Sequence, residues 1–167
     1  MEEPVARPAE TAMMAVDAPS TAIRTRYEDD LHSWAREQVA LLRARRFDEI
    51  DVERVAEELE DVSRREFSKL YSCLRVLLMH MLKWDHQPER RSKSWMHSIA
   101  VHRQHLADDL NDSPSLQSRL EEAVERAYRY ARLGAAEETN LRLELFPDVS
   151  PYSWQQIIEA PYQLDRE

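Results

Sequence analysis

One glycine, Gly134, stands among the 167 residues of this chain. A phosphate-binding loop or a dinucleotide fingerprint needs two or three glycines at fixed spacing, because the backbone must approach the phosphate where a Cβ would intrude. A sandwich or barrel needs a residue of positive φ at many of its turns. Both classes are excluded, and the fold class that remains is all-α. Ala, Glu, Leu, Lys and Arg make up nearly half of the chain, as in long helices. The same scarcity restricts ligand chemistry. Without a glycine cradle, a bound anion must be held by side chains or helix N-termini.

Proline marks the boundaries. Pro4, Pro8 and Pro19 fall in residues 1–24, which also hold many small residues; this stretch reads as a flexible N-terminal extension. Residues 25–167 read as one helical domain. A first helix is expected over Tyr27–Arg45, with Leu31, Trp34, Ala35, Val39 and Leu42 on its stripe and Glu28, Asp29 and Asp30 in its first turn. Asp51 is the expected N-cap of a second. Its stripe, Val52, Val55, Leu59 and Val62, then Phe67, Leu70, Leu74, Leu77, Leu78 and Met81, slips register near Ser63, so residues 51–84 fit one bent helix or two. KWDHQPERRSK reads as a connector, with Pro88 disfavouring helix at Gln87.

Ser92 or Ser94 can cap a third helix carrying Trp95, Ile99, His102, Leu106 and Leu110. Ser113 and Pro114 can open a fourth, with Leu116, Leu120, Val124, Ala127, Tyr128 and Ala131 facing inward. Gly134 is expected near its end, as a C-cap, or at a kink. Ser150-Pro151 can start a last helix over Tyr152–Ile158. The sum is a compact bundle of five to seven helices with a long central pair.

At this length a chain buries enough surface to be stable without a metal or a disulfide. Cys73 is the single cysteine, which excludes an intrachain disulfide and a cysteine-based zinc site; in its Leu- and Met-rich setting it reads as a small buried hydrophobe. No cofactor and no metal are expected. No apolar run is long enough to span a bilayer. The first residues are acidic and lack the apolar core of a secretory signal. The expectation is a cytoplasmic protein. A formal charge of −9 argues against nucleic acid as a general partner and against an anionic membrane.

That charge is uneven. Residues 83–105 hold Lys83, Arg90, Arg91, Lys93 and Arg103 against Asp85 and Glu89, a local +3, together with four of the six histidines and two of the four tryptophans. Glu57, Glu58, Glu60 and Asp61 form an acidic run. One reading is that basic connector and acidic helix simply neutralise each other. The functional reading is an anion-binding groove around residues 80–95, built from His80, Lys83, Trp84, His86, Arg90, Arg91 and Trp95, with Glu57 and Glu58 as acidic counterpart.

The stretches YEDDLHSWAREQVALLRARRFDEIDVERVAEELEDV, LRVLLMHMLKWDHQPERRSKSW, SPSL and FPDVSPYSWQQII carry a resemblance. Together they resemble a bacterial family catalogued as domain of unknown function 29, over about residues 27–162. The most distinctive positions are His80, Leu82, Lys83, Trp84, Pro88 and Trp95; Glu57-Glu58 and Glu138-Thr139 also match. The resemblance implies an all-helical bacterial domain and no particular activity.

Three chemistries stand beside binding. His102 and His105, with Asp109 one turn on, have a spacing that can hold a metal on a helix face, but His102 falls on the apolar stripe. Arg75 and His80 have the Arg, four residues, His spacing of helical ribonucleases in the higher-eukaryote-and-prokaryote nucleotide-binding superfamily, where His acts in acid–base cleavage and Arg stabilises the phosphate; Val76 departs from the polar residue usual there. No serine has a nucleophile-elbow context. The leading reading is a non-enzymatic binding domain for a protein or anionic ligand, with a second copy of the chain as a further candidate partner. The alternative is a ribonuclease-like toxin using Arg75 and His80.

Overall fold

The computed structural model describes residues 25–164; the extension read at 1–24 lies outside them. Among the described residues are five α-helices joined by short 3-10 turns: α1 (Leu31–Arg43), α2 (Val52–His86), α3 (Lys93–Asp112), α4 (Leu120–Thr139) and α5 (Trp154–Glu159). The fold is the expected all-helical bundle, with α2 and α4 as its long central pair. The described residues divide into two units, with the boundary between Val55 and Ala56.

In the first unit, α1 starts later than the periodicity suggests. Residues 27–29 form a turn, and Asp30 caps the helix by accepting from the Ser33 amide at 3.0 Å. Its carboxylate outcompetes the backbone for that amide, so Glu28 and Asp29 precede the helix and lie outside its first turn. α1 buries Trp34 and Gln38, while Leu31, Val39 and Leu42 stay exposed. Tyr27 stacks edge-on against Trp34 at 5.0 Å, and Gln38 Oε1 accepts from the Asp51 amide at 2.9 Å. Asp51 is the N-cap expected for α2: its Oδ1 accepts from the Arg54 amide at 3.2 Å.

α2 is one continuous helix of 35 residues, and it runs through Lys83-Trp84-Asp85-His86, the first four residues of the expected connector. Pro88 disfavours helix only at the residue before it, so the helix persists to His86. Ser92 caps α3, its Oγ accepting from the Trp95 amide at 3.3 Å. Pro114 opens a 3-10 turn, Pro114–Arg119, and α4 begins only at Leu120; no side-chain cap bond forms at Ser113. α5 is opened by Ser153 in a capping box with Gln156, two to three residues later than Ser150-Pro151 suggested.

The core of the second unit is built on α2. Leu70, Leu74, Leu77, Leu78, Met81 and Leu82 are fully buried, with Ile99 and Leu106 from α3 and Ala123, Ala127, Ala131 and Ala135 from α4. The four alanines recur every fourth residue, so they form one row along α4. Tyr71 meets Tyr130, Met79 meets Gly134, and Lys83 meets Glu138, so α2 and α4 run parallel. Lys83 also meets Trp95 while Cys73 meets His102, so α3 runs antiparallel to α2.

Gly134 lies inside α4, and the C-cap is Asn140, in the left-handed conformation at φ 57°. A Cβ at Gly134 would sit 2.9 Å from Met79 Sδ. The glycine is there for close packing of α2 on α4.

Candidate functional site

Two regions of the second unit carry side chains that could act. One is a polar knot where the C-terminal ends of α2 and α4 meet the start of α3. The other is a cleft along the N-terminal half of α4.

The knot gathers several of the residues singled out by sequence. Lys83 is only 6% exposed. Its ammonium pairs with the Glu138 carboxylate and lies 4.6 Å from the centre of the Trp95 ring. Burying an ammonium is costly unless it is paired and hydrogen-bonded, and here the ring face and the carboxylate supply that compensation. One turn on, the Gln87 side-chain amide donates to the Thr139 carbonyl at 3.0 Å, and Thr139 Oγ1 donates to the Ala135 carbonyl at 2.6 Å. Glu138 and Thr139 thus lock the end of α4 to the end of α2.

His80 is half-buried. Its Nδ1 bonds the Val76 carbonyl at 2.9 Å, and burial, reinforced by the charge of Lys83, pushes its imidazole below the ordinary value. His86 makes the same local bond to the Leu82 carbonyl, also at 2.9 Å, and packs against Phe146. Trp84 is buried, edge-on to Tyr162 at 5.4 Å. Arg91 Nε donates to the Trp84 carbonyl at 3.0 Å, and its guanidinium lies 5.2 Å from the Trp84 ring centre.

Arg103 donates to the carbonyls of Ile157, Ala160 and Gln156 at 2.7, 2.8 and 3.1 Å. It therefore caps the C-terminus of α5, where lone carbonyls attract a cation. Three of the five bases in the +3 segment are engaged inside the fold. Arg90 and Lys93 face solvent.

Glu57 and Glu58 lie on α2, about 38 Å from Lys83 along a straight helix. The carboxylate that meets Lys83 is Glu138, and Glu58 accepts from Arg65 at 3.5 Å instead. Arg75 and His80 are five residues apart on one helix, about 140° around it, and the His80 Nδ1 is held by the Val76 carbonyl. His102 Nδ1 bonds the Ser98 carbonyl at 2.8 Å. Among the described residues, no group of three or more His, Cys, Asp or Glu is placed to hold a metal ion. Cys73 is buried, with its thiol pushed up to about 12 by desolvation, so it is a poor nucleophile.

The cleft was not legible beforehand. After α4 the chain folds back beside it: Arg132 donates to the Phe146 and Leu143 carbonyls at 3.0 and 3.2 Å, and the Tyr128 hydroxyl donates to the Pro147 carbonyl at 2.7 Å. Residues 148–154 then form a wall opposite α4, enclosing an open space of about 840 Å³. Leu120, Val124, Tyr128 and Trp154 line it, with Glu121, Glu125, Arg129 and Asp148 among its polar groups. Val149 stands on that wall, 77% exposed. Asp148 pairs with Arg132 at 2.8 Å. The Tyr152 hydroxyl donates to Asp85 at 2.6 Å, and burial raises its pKa well above the ordinary phenol.

Leu120 and Val124, expected on the inward stripe of the fourth helix, are half-buried and pack against the core, and Tyr128 is buried in it. The fully buried row beside them is Ala123, Ala127, Ala131 and Ala135, whose small side chains let a neighbouring helix approach.

Among the described residues, no helix is long and apolar enough to cross a membrane. The family model described as "Domain of unknown function DUF29" matches residues 26–163. No curated protein matches, and no solved structure matches.

Proposed function

This chain belongs to the DUF29 family, and from that premise we propose that it is a non-enzymatic interaction domain whose working surface is the cleft between α4 and residues 148–154. The observation that carries the reading is the cleft itself, about 840 Å³ with Leu120, Val124 and Trp154 in its lining. Apolar concavity combined with a few polar groups is the usual form of a recognition site. The two phenols of the cleft support passive recognition over chemistry: the Tyr128 hydroxyl donates to Pro147 and that of Tyr152 to Asp85. The basic segment 83–105 serves mainly as internal fastening, with Arg90 and Lys93 left as its outward-facing charges.

Site-specific photo-crosslinking tests this. A benzophenone side chain at the position of Val149 should give a discrete adduct in cells that make the protein. The same group at Arg64, exposed on α2, should not. Adducts from neither position, or equally from both, would remove the cleft as the working surface.

A further inference from the structure

Resting on the cleft reading, we infer that the occupant is a basic amphipathic helix of a partner protein. Three observations lead there. First, the lining holds the half-buried Leu120 and Val124, one turn apart, with the buried Tyr128 closing the floor one turn further on, a row about 12 Å long. That is the length over which a two-turn stripe of apolar anchors at i, i+3, i+4 and i+7 lies in a groove.

Second, neither wall offers a strand edge, since the described residues contain no strand. An extended peptide would leave its backbone groups unpaired against an apolar surface, which is costly. A helix satisfies its own backbone and presents only side chains. Third, Glu121 and Glu125 are exposed on α4, one turn apart, on the flank of the apolar row. They suit lysines or arginines spaced three or four residues apart, just outside the apolar stripe of the partner. Arg129, one turn beyond Glu125, also lines the cleft, so the partner's bases sit toward the Glu121 end.

The test uses the full chain and three fluorescein-labelled 14-residue peptides read by fluorescence anisotropy. One has leucines at i, i+3, i+4 and i+7 flanked by lysines. The second replaces the lysines with glutamates. The third keeps the lysines but scrambles the leucine spacing. The lysine-flanked helix should bind at least tenfold more tightly than either of the others and weaken as salt rises.

Val124→Asp should weaken it at least tenfold. The double variant Glu121→Lys/Glu125→Lys, at exposed positions that should leave the fold intact by circular dichroism, should shift preference toward the glutamate-flanked peptide. Equal binding of lysine- and glutamate-flanked helices overturns the basic partner while leaving the cleft reading standing. Binding that survives both variants, or that the scrambled peptide matches, overturns it as general attraction to an acidic protein. No binding by any peptide overturns the inference, and crosslinking from Val149 then decides separately whether the cleft reading falls too. Concentration-dependent dimerisation lost in Val124→Asp overturns it in favour of a second copy.

Discussion

At its C-terminal end, α4 places Glu138 and Thr139 against Lys83, Gln87 and Trp95. In its N-terminal half it places Glu121 and Glu125 at the surface, beside Leu120 and Val124, which are half-buried in the lining of the cleft. Both ends use glutamate, an aromatic ring and a nearby base. At the first end each polar group finds a partner within the fold, and the result is a fastening. At the second the exposed carboxylates and the half-buried Leu120 and Val124 line open space, and the result is a surface. Chemical conspicuousness therefore does not distinguish structure from function. What distinguishes them is whether the partners come from the same chain.

The largest effect should come from breaking the knot asymmetrically. Lys83 is buried, whereas the Glu138 side chain is 47% exposed. Glu138→Ala strands a buried ammonium and should cost about 3 kcal/mol. Lys83→Met leaves only a solvated carboxylate and should cost about 1 kcal/mol or less. Chemical denaturation of both variants measures the difference, and equal losses would mean that the ion pair does not fasten the knot in this way.

Arg103→Ala should follow at about 2 kcal/mol, since three carbonyl bonds are lost. Hydrogen exchange should show α5 losing protection while α2 keeps it. Uniform loss across both helices would show that the C-terminal segment is inseparable from the core.

Between the two ends of α4 lies Gly134. Gly134→Ala gains about 1 kcal/mol in helix propensity but forces Met79 aside, so its net effect should be near zero. In a Met79→Ala background the same change should stabilise by about 1 kcal/mol, and a double-mutant cycle reads the coupling. Additivity would sink the close-packing account.

The knot should also be the end that senses pH. Burial, with Lys83 nearby, holds the His80 imidazole below its ordinary 6.5 in the folded chain. The unfolded chain then binds more protons below that pH. Stability is full at pH 7.5 and falls as the pH drops through 6.5 toward the folded value. His80→Gln should flatten the slope between pH 7.5 and 5.5, and an unchanged slope would assign it to another group.

The smallest effect belongs to the cleft. Glu125→Lys should alter stability by less than about 0.5 kcal/mol, seen as an unmoved thermal midpoint, and a larger loss would make the acidic rim part of the fastening.

Much of the fold was legible because helical periodicity, capping and proline position are local. Asp51 acts as the cap where the pattern placed it, Ser92 takes the cap that the pattern left open between Ser92 and Ser94, and the Leu and Met positions of α2 from Phe67 onward form the core. The site was less legible. Lys83 lies against Trp95 and pairs with a carboxylate 55 residues away, Glu138, whereas Trp84 packs on Tyr162 and His86 on Phe146. The boundaries moved where a side chain outcompeted periodicity, as Asp30 does at α1.

The sequence by itself determined that the chain is all-α. A single glycine leaves no means of making phosphate cradles or many tight β-turns, and that constraint needs no knowledge of which residues touch. Only the tertiary structure decided what Gly134, Lys83 and Val124 are for. A Cβ crowds its neighbour only where another helix comes near, a cation is a fastening only where a carboxylate is waiting, and an apolar side chain lines a cleft only where no second element covers it. Each depends on partners distant in the chain, and their distance is set by how the helices pack.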